Sequence, residues 1–427
     1  MTVRTYLAGL LITYVLFSST LVSSMHRLGH NSGDFNQFVE DGTLAGQTGR
    51  LGEALPLEYP PTSRPLFMLM ATRPQMLTLA CWWLLHVWMY WQIAVWLGAC
   101  FGVADARRQL TSIASVIALA LTGIVSDLSV GQLTGLIVFG IVGAFECDRR
   151  GRPILAGGLL AITLLVKPLP VCLLLYFLLR RRWATVGACV AVYALLGPLL
   201  LVFLFGWDEQ AEGWRWFFSS TAQTRSPLHV FDRWADMQGH ILTYRESGLA
   251  ASLIRLFSNV AYDKHGASVQ VATLAPRVLL GIWLSLIAVP LLWAAWLTLR
   301  HHDRSVQLHI YAAVVGVMLL ANPKFISYWL AAGMVLAAPL AARCYAARRA
   351  GTYDAIGLAA LAAWVVFGMT LGMIPALSAL RAAGCIPFGI LAMTVANLIH
   401  ARRHPSPKHN GCHWQLACQC NDSAGCK

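Results

Sequence analysis

An all-α polytopic membrane protein is the fold class that this sequence predicts, on three observations. The chain is 57% hydrophobic and 12% charged, with a mean hydropathy of +0.60, far from the composition of a water-soluble domain. Apolar runs recur from end to end and are continuous, where a membrane barrel would show short alternating segments. Basic residues gather at alternate ends of those runs.

Taken in order, the runs predict about twelve spans, at residues 5–23, 76–101, 111–126, 131–146, 153–167, 169–180, 184–205, 277–299, 307–321, 325–342, 355–373 and 385–400. Several fall short of the ~20 residues that cross a bilayer unaided. The two that flank Lys167-Pro168 fit one kinked span as well as two. Arg107-Arg108, Arg149-Arg150, Arg180-Arg181-Arg182, Arg300 with Arg304, Arg348-Arg349 and Arg402-Arg403 then share one side, which the positive-inside rule makes cytoplasmic. Arg4 places the amino terminus there too, and the first run reads as a retained anchor. The formal net charge of +13 is accounted for by topology, and no nucleic-acid partner is needed to explain it.

This topology leaves two long segments facing outward, 24–75 and 206–276, within a membrane domain of residues 1–400. The first carries Asp34, Glu40, Asp41, Glu53 and Glu58, with Arg27, Arg50 and Arg64 interspersed. The second carries Trp207, Trp214, Trp216 and Trp234, and residues of this kind usually sit at headgroup level. Gly248 to Ser258 has helical spacing that suits a helix lying in the interface. No internal repeat suggests the inverted halves of a transporter.

Of the eleven cysteines, seven lie in or beside spans and none in the outward segments, so no disulfide framework is indicated. Cys412, Cys418, Cys420 and Cys426 crowd the tail, 401–427, with His409 and His413. The tail lacks paired CxxC knuckles, so a disordered cytoplasmic tail is expected rather than a zinc site.

Polar groups at a membrane boundary are costly and mark candidate sites. Four sets fall at outward span ends: Asp34, Asp127 with Gln132, Lys167-Pro168, and Asn322-Pro323-Lys324. A carboxylate with two lysines and several arginines suits a substrate that bears a phosphate. Each has a plainer reading. Asp34 can cap a short helix over Phe35 to Leu44, Gln132 can pair two helices, and Lys167 can snorkel.

In Gly33-Asp34-Phe35, Tyr59-Pro60-Pro61, Gly131-Gln132-Leu133-Thr134, Lys167-Pro168 with Arg180-Arg181-Arg182-Trp183, Glu246-Ser247-Gly248-Leu249 with Arg255, and Asn322-Pro323, the chain resembles glycosyltransferase family 87. That is the polyprenyl-phosphate-mannose-dependent type, with a GT-C fold. The resemblance spans residues 5 to about 342 and rests on the order of six motifs, each common alone. It implies an acidic residue of the first outer loop as catalytic base, here Asp34. Glu58 and Glu53 stand in reserve. Implied binding residues are Tyr59, Gln132, Lys167, Arg255, Asn322, Lys324 and Tyr328. The implied donor is a decaprenyl- or undecaprenyl-phosphate sugar, and the implied location is a bacterial inner (plasma) membrane. The pattern departs from the family at Thr134, where Asn is usual, at Arg245-Glu246-Ser247-Gly248-Leu249, and at Ile326 and Tyr328, where Trp and then His are usual. These departures put the phosphate and sugar contacts in doubt.

The implied reaction is one inverting displacement. Asp34 takes the acceptor's proton, the acceptor oxygen attacks the anomeric carbon, and the prenyl phosphate leaves. Lys167, Lys324 or Arg255 would stabilise that phosphate, and no metal or other cofactor is called for. The hexose is expected to be mannose, with glucose, arabinose or an amino sugar equally consistent with the residues. The expected acceptor is a lipid or glycan, with a glycolipid, a polysaccharide and a protein all open to the sequence. The rival readings are a transporter or lipid flippase, which would place substrate at the midplane, and an inactive scaffold of the same fold.

Overall fold

Among the described residues of the computed structural model, every regular element is a helix. Those residues are 1–30, 32–51, 59–103, 105–225, 231, 248–258, 268–322, 327–370 and 384–403. The amino-terminal half runs α1 (Val3–Gly29), α2 (Asp34–Thr48), α3 (Arg64–Met70), α4 (Gln75–Gly98), α5 (Ala106–Ala118), α6 (Leu121–Val130), α7 (Thr134–Arg149), α8 (Pro153–Val166), α9 (Val171–Leu179) and α10 (Trp183–Ala194). After a wide turn at Leu195–Leu199 come α11 (Leu200–Phe205), α12 (Trp207–Arg225), α13 (Leu249–Phe257), α14 (Pro276–Arg300) and α15 (Arg304–Ala321). A tight 3-10 turn, Ser327–Ala332, leads into α16 (Gly333–Arg349), then α17 (Ala355–Ala363) and α18 (Cys385–Arg403).

Among the described residues, six helical stretches have the length and mean hydropathy to cross a membrane: Val3–Gly29, Gln75–Phe101, Trp183–Phe205, Pro276–Arg300, Ser327–Arg349 and Cys385–Arg403. α5 and α6 qualify only together, as a pair bent by 65°. The other runs expected to span form shorter helices, such as α7 with 16 residues, α8 with 14 and α9 with 9. The chain at Lys167-Pro168 is therefore two helices rather than one kinked rod. A helix enclosed by protein can end inside the membrane if other groups satisfy its terminal carbonyls. Thr62 does so here, donating from its hydroxyl to the carbonyl of Leu165 at 2.7 Å, near the end of α8.

The core forms where α7 and α10 pack along α8, α4 packs against α1 and α7, and α15 packs along α18. The hydroxyl of Tyr311 ties α15 to the carbonyl of Ile141 on α7 at 2.8 Å. The segment expected at the interface, Gly248 to Ser258, packs against protein. Leu249 through Arg255 are all buried, on a helix packed against α14 and α18. Amphipathic spacing alone does not distinguish a headgroup layer from a protein interior that accepts the polar side.

Within the first long segment, α2 packs against α3 as a hairpin. Phe38 stacks on Phe67 at 4.8 Å, and Tyr59 meets both edge-on at 5.2 and 5.4 Å. Such aromatic pairs are worth about 0.5–1.5 kcal/mol each beyond the area they bury. Gly42 permits the approach, since a Cβ there would lie 2.1 Å from the carbonyl oxygen of Phe67. Asp41 and Arg64, both fully buried, form an ion pair across the hairpin. Burial pushes the Arg64 guanidinium down to about 9, which leaves it charged at neutral pH opposite Asp41.

Candidate active site

Two turns bring Asp34 to Gln132. The first follows α1, where the amide of Ser32 and the side chain of Asn36 donate to the carbonyl of Arg27 at 2.8 and 3.0 Å. Gly33 then takes φ +98°, a backbone angle that glycine adopts at little cost, and caps α2. The capping role that the sequence offers Asp34 thus falls to Gly33. Asp34 is the first residue of the helix, where the positive end of the helix dipole favours a carboxylate.

The second turn joins α6 to α7. Gly131 ends α6 at φ +73°, its amide donating to the carbonyl of Asp127 at 3.0 Å. A Cβ at Gly131 would lie 2.6 Å from that of Phe35, so glycine is also what lets α2 come this close. Asp127, wholly buried, accepts from the amides of Thr134 at 3.1 Å and Gly135 at 3.2 Å and from the Tyr90 hydroxyl at 2.8 Å. Its carboxylate thereby satisfies the amino-terminal amides of α7 and fixes the turn that carries Gln132.

Gln132 is the hub. Its Nε2 donates to Oδ2 of Asp34, while its Oε1 accepts from the Tyr59 hydroxyl at 2.8 Å and the Leu133 amide at 3.2 Å. Beyond the Tyr59 ring stands Lys167, its Nζ 4.7 Å from the ring centre. The same ammonium lies 5.2 Å from the Trp329 ring and 5.9 Å from that of Tyr328. Lys167 is 7% exposed, so it is enclosed by rings rather than snorkelling out. Proline at 168 ends α8 and leaves Lys167 extended, with φ −143°. The 3-10 turn is anchored by Ser327, whose hydroxyl meets that of Ser126 on α6 at 2.8 Å.

Five of the residues expected from the sequence therefore form one chain of contacts: Asp34, Gln132, Tyr59, Lys167 and Tyr328. Arg255 comes from another part of the fold, wholly buried on α13 with its Nη2 3.5 Å from the Ser252 hydroxyl. Asn322 follows α15, half-buried, with its amide 3.3 Å from the Leu319 carbonyl. Lys324, Glu58, Glu53, Ile326, the Glu246-Ser247 element and the Cys/His-rich tail lie outside the described residues.

Sequence reasoning missed Trp329 and the capping role of Asp127. Trp329 is buried, and its indole N–H has no hydrogen-bond partner among the described residues. Its signal was only its position beside Tyr328, after Asn322-Pro323. A small cavity of about 10 Å³, roughly the room a single water needs, lies behind Gln132 against Trp82, His86 and Asp127. Among the described residues, no group of three or more His, Cys, Asp or Glu side chains is placed to share a metal ion.

This arrangement brings a carboxylate that meets an amide into one line of contacts with a buried ammonium that rings surround. The first can take a proton and the second can attract a phosphate. The model of glycosyltransferase family 87 matches residues 57–323, well over half of the chain. The match includes Tyr59, Gln132, Lys167, Arg255 and Asn322, begins after Asp34 and ends before Tyr328. A search of curated proteins returned no match, and neither did a search of solved structures.

Proposed function

The chain belongs to glycosyltransferase family 87 and so is a membrane glycosyltransferase, and we propose that it moves a hexose, mannose foremost, from a polyprenyl-phosphate donor to a lipid or glycan acceptor. The observation that supports this reading is the contact chain from Asp34 through Gln132 and Tyr59 to Lys167. It sets a base and a phosphate-attracting cation along one side of a single site.

In this reading Asp34 takes the proton of an acceptor hydroxyl as that oxygen bonds to the anomeric carbon. The bond from that carbon to the phosphate oxygen breaks, and the prenyl phosphate leaves with the electron pair. Inversion follows from a single displacement. Gln132 orients the carboxylate, and Lys167 faces the charge on the departing phosphate, with the Trp329 N–H as a further donor. The fold we infer is GT-C-like with about twelve crossings, the shorter helices being shielded by their neighbours. Segments 24–75 and 206–276 then face outward, and both termini face the cytoplasm of a bacterial inner membrane.

The test supplies the purified protein with radiolabelled polyprenyl-phosphate mannose and a membrane lipid extract. Label moving into a glycolipid, with one prenyl phosphate released per sugar, is the expected result. Movement of intact donor across a vesicle membrane without cleavage would overturn the reading in favour of a flippase.

A further inference from the structure

The helices that carry the candidate site also end in a second polar cluster, at their far ends. α7 begins beside Gln132 and finishes at Arg149 after 16 residues, about 24 Å at 1.5 Å per residue. α9 starts just after Lys167-Pro168 and ends before Arg180. α15 has Gln307 in its first turn and Asn322 just past its last. At these far ends lies a cavity of about 140 Å³ lined by Asp148, Arg149, Tyr176, Arg180, Arg182 and Gln307. A water in the liquid takes about 30 Å³, so the space suits a larger group.

Its floor is aromatic. The Tyr176 and Tyr311 rings lie 5.1 Å apart, and those of Phe145 and Tyr311 4.7 Å apart. Above them the Tyr176 hydroxyl donates to Oε1 of Gln307 at 2.8 Å, and Gln307 Nε2 donates to the His301 carbonyl. Arg180 shares that carbonyl, donating from Nη1 at 3.0 Å, and meets Nδ1 of His302 at 3.2 Å. At the rim Glu146 takes both Arg149 and Arg150 at 2.7 Å, and Asp148 takes Arg182 at 3.1 Å. Arg149, Arg150 and Arg182 are thus paired with Glu146 and Asp148, Arg180 with the His301 carbonyl, and Arg152 and Arg181 are adjacent in the chain, as is Asp303 to His302. A topology signal asks only for arginines at helix ends. It does not ask for a cavity between them, nor for an amide and a hydroxyl fixed at its floor.

We propose that this cavity binds a phosphate group at the membrane face opposite the candidate site, with Arg180 and Arg182 as its principal ligands. Guanidinium forks match phosphate oxygens two at a time, and the excess positive charge favours an anion over a zwitterion. The phosphate is supplied either by an anionic lipid headgroup sliding along the membrane face or by a soluble phosphate. The site is independent of the transfer chemistry at the other end.

The test titrates the purified full chain in detergent with short-chain phosphatidylglycerol, with short-chain phosphatidylcholine and with inorganic phosphate. Thermal melting and direct binding are both followed. A ligand that binds only the folded chain raises its melting temperature. Stabilisation by phosphatidylglycerol alone assigns a lipid headgroup, and stabilisation by inorganic phosphate as well assigns a soluble one. The double substitution Arg180→Gln with Arg182→Gln should weaken binding by about tenfold or more, as expected for losing charge-assisted hydrogen bonds. Arg182→Lys, the fallback should the double variant not fold, should weaken it less. The proposal is overturned if neither anion stabilises the native chain, or if phosphatidylcholine does so equally. It is also overturned if the affinity survives these substitutions unchanged.

Discussion

At the Gln132 end of α7, an amide meets the Asp34 carboxylate, the rings of Tyr59, Tyr328 and Trp329 surround the Lys167 ammonium, and Asp127 caps the helix. At the Arg149 end, Arg149, Arg150 and Arg182 share two carboxylates, Arg180 meets the His301 carbonyl, and the rim is open, with Arg150 51% exposed. A charge enclosed among rings and amides is held in place and little screened by water. Ion pairs at an exposed rim are weakened by water, so each contributes little to stability. The comparison teaches that burial and the kind of partner, rather than a count of charges, set the two ends apart.

Asp34→Asn bears on this contrast most directly. An amide keeps the size of the side chain but cannot take the proton, so turnover at saturating donor should fall by about two to four orders of magnitude. Native-like turnover would remove the carboxylate from the chemistry and reduce the difference between the two ends to packing.

Next in size is the buried Asp41–Arg64 pair, which braces the hairpin that holds Asp34 and Tyr59. Arg64→Met leaves Asp41 buried and uncompensated, so thermal or denaturant unfolding should show a loss of about 3–5 kcal/mol. Adding Asp41→Leu should restore most of that loss. If the single substitution proves mild, the hairpin is braced by its aromatic stack instead.

Lys167→Met keeps an apolar stem among the rings and removes the charge. The donor KM should rise by about 10–100-fold, the worth of hydrogen bonds to a charged group. A KM unchanged by this variant would shift the phosphate contact to Lys324 or Arg255.

The smallest effect is expected at the opposite end. Arg150→Ala leaves Arg149 on Glu146, and the melting curve should report about 0–1 kcal/mol, as exposed pairs usually do. A loss as large as that of Arg64→Met would show that exposure does not separate the two ends.

Much of the candidate site was legible in the order of short motifs. Gly33-Asp34, Tyr59, Gly131-Gln132, Lys167-Pro168 and Tyr328 are far apart in the chain, yet all but the glycines and Pro168 join one line of contacts. What each does there was less legible. Asp34 reads as a cap before it reads as a base from its neighbours alone, because both roles ask for a carboxylate beside a helix start and capping is the commoner one. Trp329 carried no pattern that set it apart from the other 15 of the chain's 16 tryptophans. The spacing of Gly248 to Ser258 suited a headgroup layer and a protein interior alike.

By itself the sequence determined that this is an α-helical membrane protein. Hydropathy acts residue by residue, and the backbone of a helix satisfies its own hydrogen bonds wherever lipid surrounds it. It also determined where helices must stop, since proline at 168 removes a donor and glycine at 33 and 131 opens backbone angles that other residues resist. Only the tertiary structure decided that α8 and α9 are separate short helices, that α13 is buried, and that Gln132 stands between Asp34 and Tyr59. Those outcomes depend on which surfaces meet across 73 and 98 residues of chain. Packing between distant segments leaves no mark in local composition.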